Sequence, residues 1–166
     1  MDAVTTGDAL AYTTLFERYR GPLYGYILRM VRRTELADEM FQDAFLNVHR
    51  ARATWSSHQA SFRAWLYRIA TNVIRDRARS AVRRPEVYGV EWEPSEHNYP
   101  AEKIALERAL GQIPDNHRDA FVLSAVQGLD HNEIALALSI SPENARARIS
   151  RARTRLRELL DPPEAK

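Results

Sequence analysis

The chain has no cysteine among its 166 residues, which removes disulfide bridges, thiolate metal sites and cysteine nucleophiles together. Lysine is nearly missing too: of 24 basic residues only Lys103 and Lys166 are lysines. The guanidinium therefore carries almost all the positive charge, and it is the group suited to bidentate contacts with phosphate and guanine. His49, His58, His97, His117 and His131 are scattered, with no pair at helical ligand spacing, and there is no Gly-rich phosphate loop or nucleophile elbow. No catalytic residue, metal or cofactor is expected, and hence no enzyme. Apolar residues make up 45% of the chain, enough for packed cores without implying a membrane protein. Met1-Asp2-Ala3 lacks the basic-then-apolar pattern of a signal peptide, so cytoplasmic residence is the expectation.

Charge is unevenly spread. Residues 1–84 hold 14 basic against 8 acidic groups, whereas residues 85–100 hold four acids and no Lys or Arg, so the formal net charge of +2 hides a segregation of charge along the chain. That interruption, PEVYGVEWEPSEHNYP, has three Pro, one Gly and no helical period, and reads as a linker between a domain at 1–84 and another at 101–166. Fully extended, sixteen residues reach roughly 50 Å, about fifteen base pairs at ~3.4 Å each. Tyr88, Trp92 and Tyr99 suggest that the linker docks somewhere and is no plain spacer.

In the first domain Leu10, Leu15, Phe16 and Tyr19 recur at helical spacing, and Leu23, Tyr26, Ile27 and Met30 resume it after a break expected at Gly21-Pro22. Thr34 is placed to cap a helix running to about Arg52, with Met40, Phe41, Ala44, Phe45 and Val48 on its core side. Its opposite face carries Glu35, Asp38, Glu39, Gln42 and Asp43 around Leu46. An apolar residue ringed by polar ones has the anatomy of a protein–protein contact. Beyond a loop with Trp55, Ser56, Ser57 and His58, Ser61 caps a helix from Phe62 to about Ala81, whose core side is Phe62, Leu66, Ile69 and Val73. The other side interleaves Trp65, Tyr67, Arg68, Thr71, Asn72, Arg75 and Arg79, a surface able to stack on bases and hold phosphates. Arg77 falls toward the core on the same wheel.

In the second domain Ala101–Leu110 and Asp115–Gln127 read as helices, the latter capped by Asp115 and stopped by Gly128. Asp130 with Glu133 opens a short helix, His131 to Leu138, and Ser141-Pro142 opens the last one after a tight turn at Ser139-Ile140. On that last helix Ala145, Ile149, Ala152, Leu156 and Leu159 share one side, while Glu143, Arg146, Ala147, Ser150, Arg151 and Thr154 occupy the other. Two helices around a tight turn, with long basic tips beside small residues, fit duplex DNA. Ala147 and Ser150 let the backbone approach a groove floor, Arg146 and Arg151 reach for base edges, and Arg148, Arg153 and Arg155 lie at the flanks where phosphates run.

The motifs, in order, resemble those of an extracytoplasmic-function sigma factor of the sigma-70 family. LADEMFQDAFLNVHRA is similar to the family's core-polymerase-binding helix, FRAWLYRIATNVIRDRARSAVRR to its promoter-melting and −10-reading helix, and IALALSISPENARARISRARTRLRELL to its −35-reading helix-turn-helix. The resemblance implies an all-α fold of two small helical domains and a promoter-specificity subunit that leaves the chemistry to RNA polymerase. It implies that Asp38, Glu39, Gln42, Asp43 and Leu46 meet core polymerase. Trp55 and the loop Ser56 to Ser61 would border a pocket for a flipped base with Asn72 touching it, Arg146 and Arg151 would contact the −35 element, and an anti-sigma factor is an implied partner. The usual pattern is departed from at Glu143-Asn144-Ala145 and at Ser150. Only Asp161 to Lys166 follow the last helix, so no appended regulatory domain is expected. The alternative is a protein-interaction module that mimics a sigma factor and sequesters its anti-sigma factor; the Arg residues on both DNA faces argue against it.

Overall fold

A computed structural model describes residues 8–56, 61–82 and 101–161. Among these there is no strand. Seven helices follow one another: α1 (Ala9–Val31), α2 (Thr34–Ala51), α3 (Phe62–Val82), α4 (Ala101–Gly111), α5 (Asp115–Ala125), α6 (His131–Leu138) and α7 (Pro142–Leu160), with a short 3-10 turn at Arg52–Thr54. Helices α1 to α3 pack on one another, and α4 to α7 form a second bundle in which α7 touches α4, α5 and α6. The two bundles are not apart. α3 lies along α6, and α1 touches α5.

The break expected at Gly21-Pro22 does not occur, because α1 runs straight through Pro22. An internal Pro costs a hydrogen bond and a clash of about 3 kcal/mol. Burial of Leu23, Tyr26 and Ile27, continuous with partly buried Phe16 and Tyr19, offsets that cost by holding both halves in one apolar stripe. Leu10, expected in that stripe, is 77% exposed. Tyr12 packs in its place, its hydroxyl donating to the Phe45 carbonyl at 3.2 Å and its ring edge-on to His49. The α2 core side is as expected, with Ala37 added, but Thr34 lies inside the helix and Arg33 holds the cap position without a side-chain bond.

Helix starts in the second bundle follow the sequence closely. Asp130 accepts from the Asn132 and Glu133 N–H groups while Glu133 accepts from the Asp130 N–H, a complete capping box. Ser139 turns the chain in the left-handed region at φ 55°, Ser141 caps α7 through the Asn144 N–H, and Gly128 adopts φ 66° after α5. Pro114, not Asp115, holds the cap position of α5. Ala145, Ile149, Ala152 and Leu156 are buried under α7 as expected, and Leu159 is partly buried.

Polar side chains line the seam between the bundles. Gln127 accepts from the Tyr67 hydroxyl at 2.6 Å and donates to the Pro22 carbonyl at 3.2 Å. Arg63 donates to the Gly128 carbonyl at 2.7 Å, buried Arg118 donates to the Met30 carbonyl at 3.1 Å, and Arg29 pairs with Glu107 at 2.9 Å. Asp119 is buried in this seam, 3.7 Å from Arg75. Burial pushes its carboxyl up to about 6, against the pull of the Ala120 N–H and Arg75. The folded chain therefore holds a proton that the unfolded chain has released between roughly pH 4 and 6, and stability falls as pH rises through that window. Relative to Asp119→Asn, the wild type should gain about 2–3 kcal/mol in urea denaturation on going from about pH 7.5 to 4. Parallel pH profiles for the two proteins would show that Asp119 does not carry the proton.

Candidate nucleic-acid interface

α7 presents its basic face to solvent because its apolar stripe is fully used against the bundle. Arg146, Ser150, Arg151, Arg153 and Arg155 are exposed, and Ala147 is half-buried between them. The arginines are not equivalent. Arg146, Arg151 and Arg153 make no hydrogen bond or ion pair among the described residues, so their guanidiniums are available to a ligand. Arg148 is tied down: its Nε donates to Asn144 Oδ1 at 3.0 Å and its Nη1 to the Asn116 carbonyl at 3.4 Å, which anchors α7 to the start of α5. These two bonds set the position of the Arg148 guanidinium, expected at a flanking phosphate, through its Nε and Nη1. Arg155 pairs with Glu158 at 2.9 Å on the exposed surface, a link weak enough in water to exchange for a phosphate. His117, in the first turn of α5, shares a shallow groove with Ser150, Arg151 and Arg155. Partial burial first, then Arg151 and Arg148, lowers its pKa, so the imidazole favours its neutral form there.

On α3 the expected stripe divides. Arg68, Asn72 and Arg79 are exposed, and Arg79 pairs with Asp76 one turn away. Trp65 is not a surface aromatic; it is 8% exposed and packs on Phe62, with ring centroids 5.7 Å apart. Tyr67 is 2% exposed, edge-on to Tyr26 and bonded to Gln127. Thr71 is likewise buried, sharing a 3.0 Å hydrogen bond with the Tyr26 hydroxyl. Arg75 is half-buried at the edge of the stripe, where its Nη1 donates to the Leu138 carbonyl at 2.8 Å and its Nη2 faces Asp119. The aromatic part of the expected DNA surface is therefore internal, since α3 is packed against α1 and α2 on one side and against the second bundle on another. Trp55 is also half-buried, edge-on to Phe62 at 6.2 Å. Ser56 is half-buried, Ser61 caps α3 through the Ala64 N–H, and Ser57 and His58 lie outside the described residues.

The acidic face of α2 is open. Asp38, Glu39, Gln42 and Asp43 are exposed around Leu46, which is 45% exposed on a helix whose other apolar side chains are packed. Arg77, which the wheel turned toward the core, instead reaches Glu39 at 2.6 Å, so the end of α3 is braced on the rim of this face. Periodicity on one helix missed that pair because its partner is 38 residues away.

No cluster of His, Asp or Glu able to hold a metal ion occurs among the described residues, and no described helix is long and apolar enough to cross a membrane. The geometry is that of two helical units with basic outer faces, one of them a helix-turn-helix. Known proteins agree. The sequence matches the family descriptions Sigma-70 region 2 over residues 15–84 and Sigma-70 region 4 over residues 103–156. It is 34% identical to the RNA polymerase sigma factor CarQ of Myxococcus xanthus, over 96% of this chain and 95% of that protein. It is 32% identical to the ECF RNA polymerase sigma factor SigM of Mycobacterium tuberculosis, over 95% of this chain and 81% of that one. Among solved structures, CnrH in complex with the cytosolic domain of CnrY superposes with a TM-score of 0.74 at 27% identity, covering 98% of this chain and 96% of that one. The sigma factor RpoE in complex with the anti-sigma factor NepR, from Bartonella quintana, superposes with a TM-score of 0.75 at 20% identity, covering 93% and 99%. The chain belongs to the extracytoplasmic-function sigma factors of the sigma-70 family, non-enzymatic factors for transcription initiation.

Proposed function

We propose that this sigma factor divides its work among three faces, with residues 1–84 and 101–166 as separate working domains and 85–100 as the acidic connection. The face of α2 formed by Asp38, Glu39, Gln42, Asp43 and Leu46 docks on core RNA polymerase. The stripe Arg68, Asn72, Arg75 and Arg79 of α3, with residues Trp55 to His58, holds the −10 strand as the promoter melts. α7 reads the −35 element through Arg146 and Arg151, with Ala147 and Ser150 allowing close approach and Arg153 and Arg155 on phosphates. An anti-sigma factor regulates the protein, in keeping with the complex that RpoE of Bartonella quintana forms with the anti-sigma factor NepR. The protein acts in the cytoplasm, where its polymerase is.

The observation that carries this reading is that Arg146, Arg151 and Arg153, exposed on α7, make no hydrogen bond or salt bridge among the described residues, beside small side chains on the second helix of a helix-turn-helix. A guanidinium held in an internal pair would have to break it before reaching a base; Arg146 and Arg151 have none to break. Arg146→Ala or Arg151→Ala should cost about 1–3 kcal/mol of promoter affinity and relax the base preference at the −35 element. Arg155→Ala should weaken specific and random duplexes alike and lower the salt slope by roughly one. Binding isotherms of holoenzyme on promoter and random DNA at several salt concentrations separate these effects. Identical behaviour of all three variants on both DNAs would remove base reading from α7.

Leu46 offers the second test. A large apolar side chain near the centre of a polar patch is the kind of position where truncation or charge costs most in an interface. Leu46→Glu combined with Gln42→Ala should abolish assembly with core polymerase while leaving helicity and thermal midpoint nearly unchanged, as neither side chain belongs to the packed core. A folded double variant that still co-elutes with core polymerase would reject the docking face.

A further inference from the structure

His117 stands on the first turn of α5, outside the helix-turn-helix, yet against the arginines of α7. It shares a groove with Gln112 and, from α7, with Ser150, Arg151, Thr154, Arg155 and Glu158. Ser150 and Arg151 belong both to the wall of this groove and to the outward face of α7, so the groove opens beside that face and is continuous with it. A duplex lying on the face brings its backbone to the mouth of the groove.

The charges around the imidazole are mostly of one sign. From α7 it meets Arg148, Arg151 and Arg155, the last of these paired with Glu158. On its own helix Asp115 is taken up by Arg118, and Asp119 accepts from the Ala120 N–H and faces Arg75. The His117 ring itself makes no hydrogen bond or ion pair among the described residues. A half-buried imidazole among guanidiniums is suited to an anion that comes from outside. Burial and then Arg151 and Arg148 disfavour a proton on it in the free chain. An anion in the groove reverses that balance, since an opposite charge within roughly 4–6 Å favours the charged form.

We infer that this groove seats a backbone phosphate of the −35 duplex, held by His117 from α5 and Arg155 from α7. This rests on the role proposed above for α7, and it adds to that role a contact from a helix that precedes the helix-turn-helix. Neutral imidazole donates through one ring nitrogen and imidazolium through both, and the charged form bonds a phosphate more strongly. Binding therefore takes up a proton at His117. The free value lies below the ordinary 6.5 and the bound value above the free one. Affinity accordingly rises as pH falls through the range between the two, and is level above both and below both.

The test compares holoenzymes carrying wild-type sigma, His117→Gln or His117→Lys on one promoter duplex at about pH 8 and about pH 6, with circular dichroism to verify folding. Taking the ratio of wild-type to variant affinity cancels the titrating groups they share, those of core polymerase included. Wild type should gain several-fold on His117→Gln between the higher and the lower pH, with a salt slope steeper by about one at the lower. His117→Lys should hold the low-pH advantage at both. Replacing single −35 phosphates by neutral methylphosphonates should find one position that removes the gain in wild type and costs less in His117→Gln. Affinity ratios that are the same at both pH values overturn proton uptake at His117. The absence of any phosphate position that distinguishes wild type from His117→Gln overturns the seat. Arg146→Ala on the same duplex reports on the underlying reading: if it weakens binding while the His117 profiles stay parallel, only the groove is removed, whereas Arg146→Ala behaving as wild type removes α7 from the DNA.

Discussion

The guanidinium of Arg75 lies where α3, α5 and α6 meet, and the arrangement of the two bundles is legible in what it bonds. A cation at this place must be satisfied, and within the closed chain the satisfying groups are the Leu138 carbonyl at the end of a helix and the carboxyl of Asp119. Helix-end carbonyls have no partner within their own helix, so the bond serves both sides. Around it the polar grips from Ser61, Arg63 and Tyr67 run along the start and one side of α3. A seam made in this way is specific in geometry, since each polar grip fixes one side chain against one partner.

Each bundle supports its own working surface by using up its apolar side chains inside. In α7 the sequence of small and branched residues at Ala145, Ile149, Ala152 and Leu156 fixes rotation, and rotation alone turns Arg146, Ser150 and Arg151 outward. Arg148 also holds α7 to α5 through the Asn116 carbonyl. In α2 the same logic leaves Leu46 outside, and Arg77 from α3 braces the rim through Glu39. The pattern across both surfaces is that some charged residues build the platform and others stay available on it.

Local signals in the sequence disclosed most of this. The capping box at Asp130 and Glu133, the Ser141-Pro142 start and the Ser61 cap are short-range devices whose partners lie within three residues, and each forms as its residue types require. The faces of α2 and α7 were legible for a related reason, since each helix buries one stripe against its own bundle. α3 was read less well because it is buried on two sides by parts of the chain far away in sequence. Trp65 and Tyr67 look like surface aromatics when α3 is considered alone, and become internal once Phe62 and the second bundle are added. Pro22 misled in the opposite direction: its local preference for a break is outweighed by tertiary burial of Leu23, Tyr26 and Ile27. Single-helix periodicity also could not reveal that Arg148 and Arg75 are engaged, since Asn116 and Leu138 come from other helices.

The central claim is that the face of α7 left outside by its buried stripe lies against duplex DNA. The absence of cysteine makes a direct measurement possible, because Ser150→Cys places one reactive thiol on an exposed position of that face without background reaction. An iron chelate attached there cleaves nearby DNA backbone, and its cuts can be mapped in a transcription-competent complex with core polymerase and promoter DNA. The account expects cuts confined to a few base pairs at the −35 element. Cleavage elsewhere only, or none in an active complex, would contradict it.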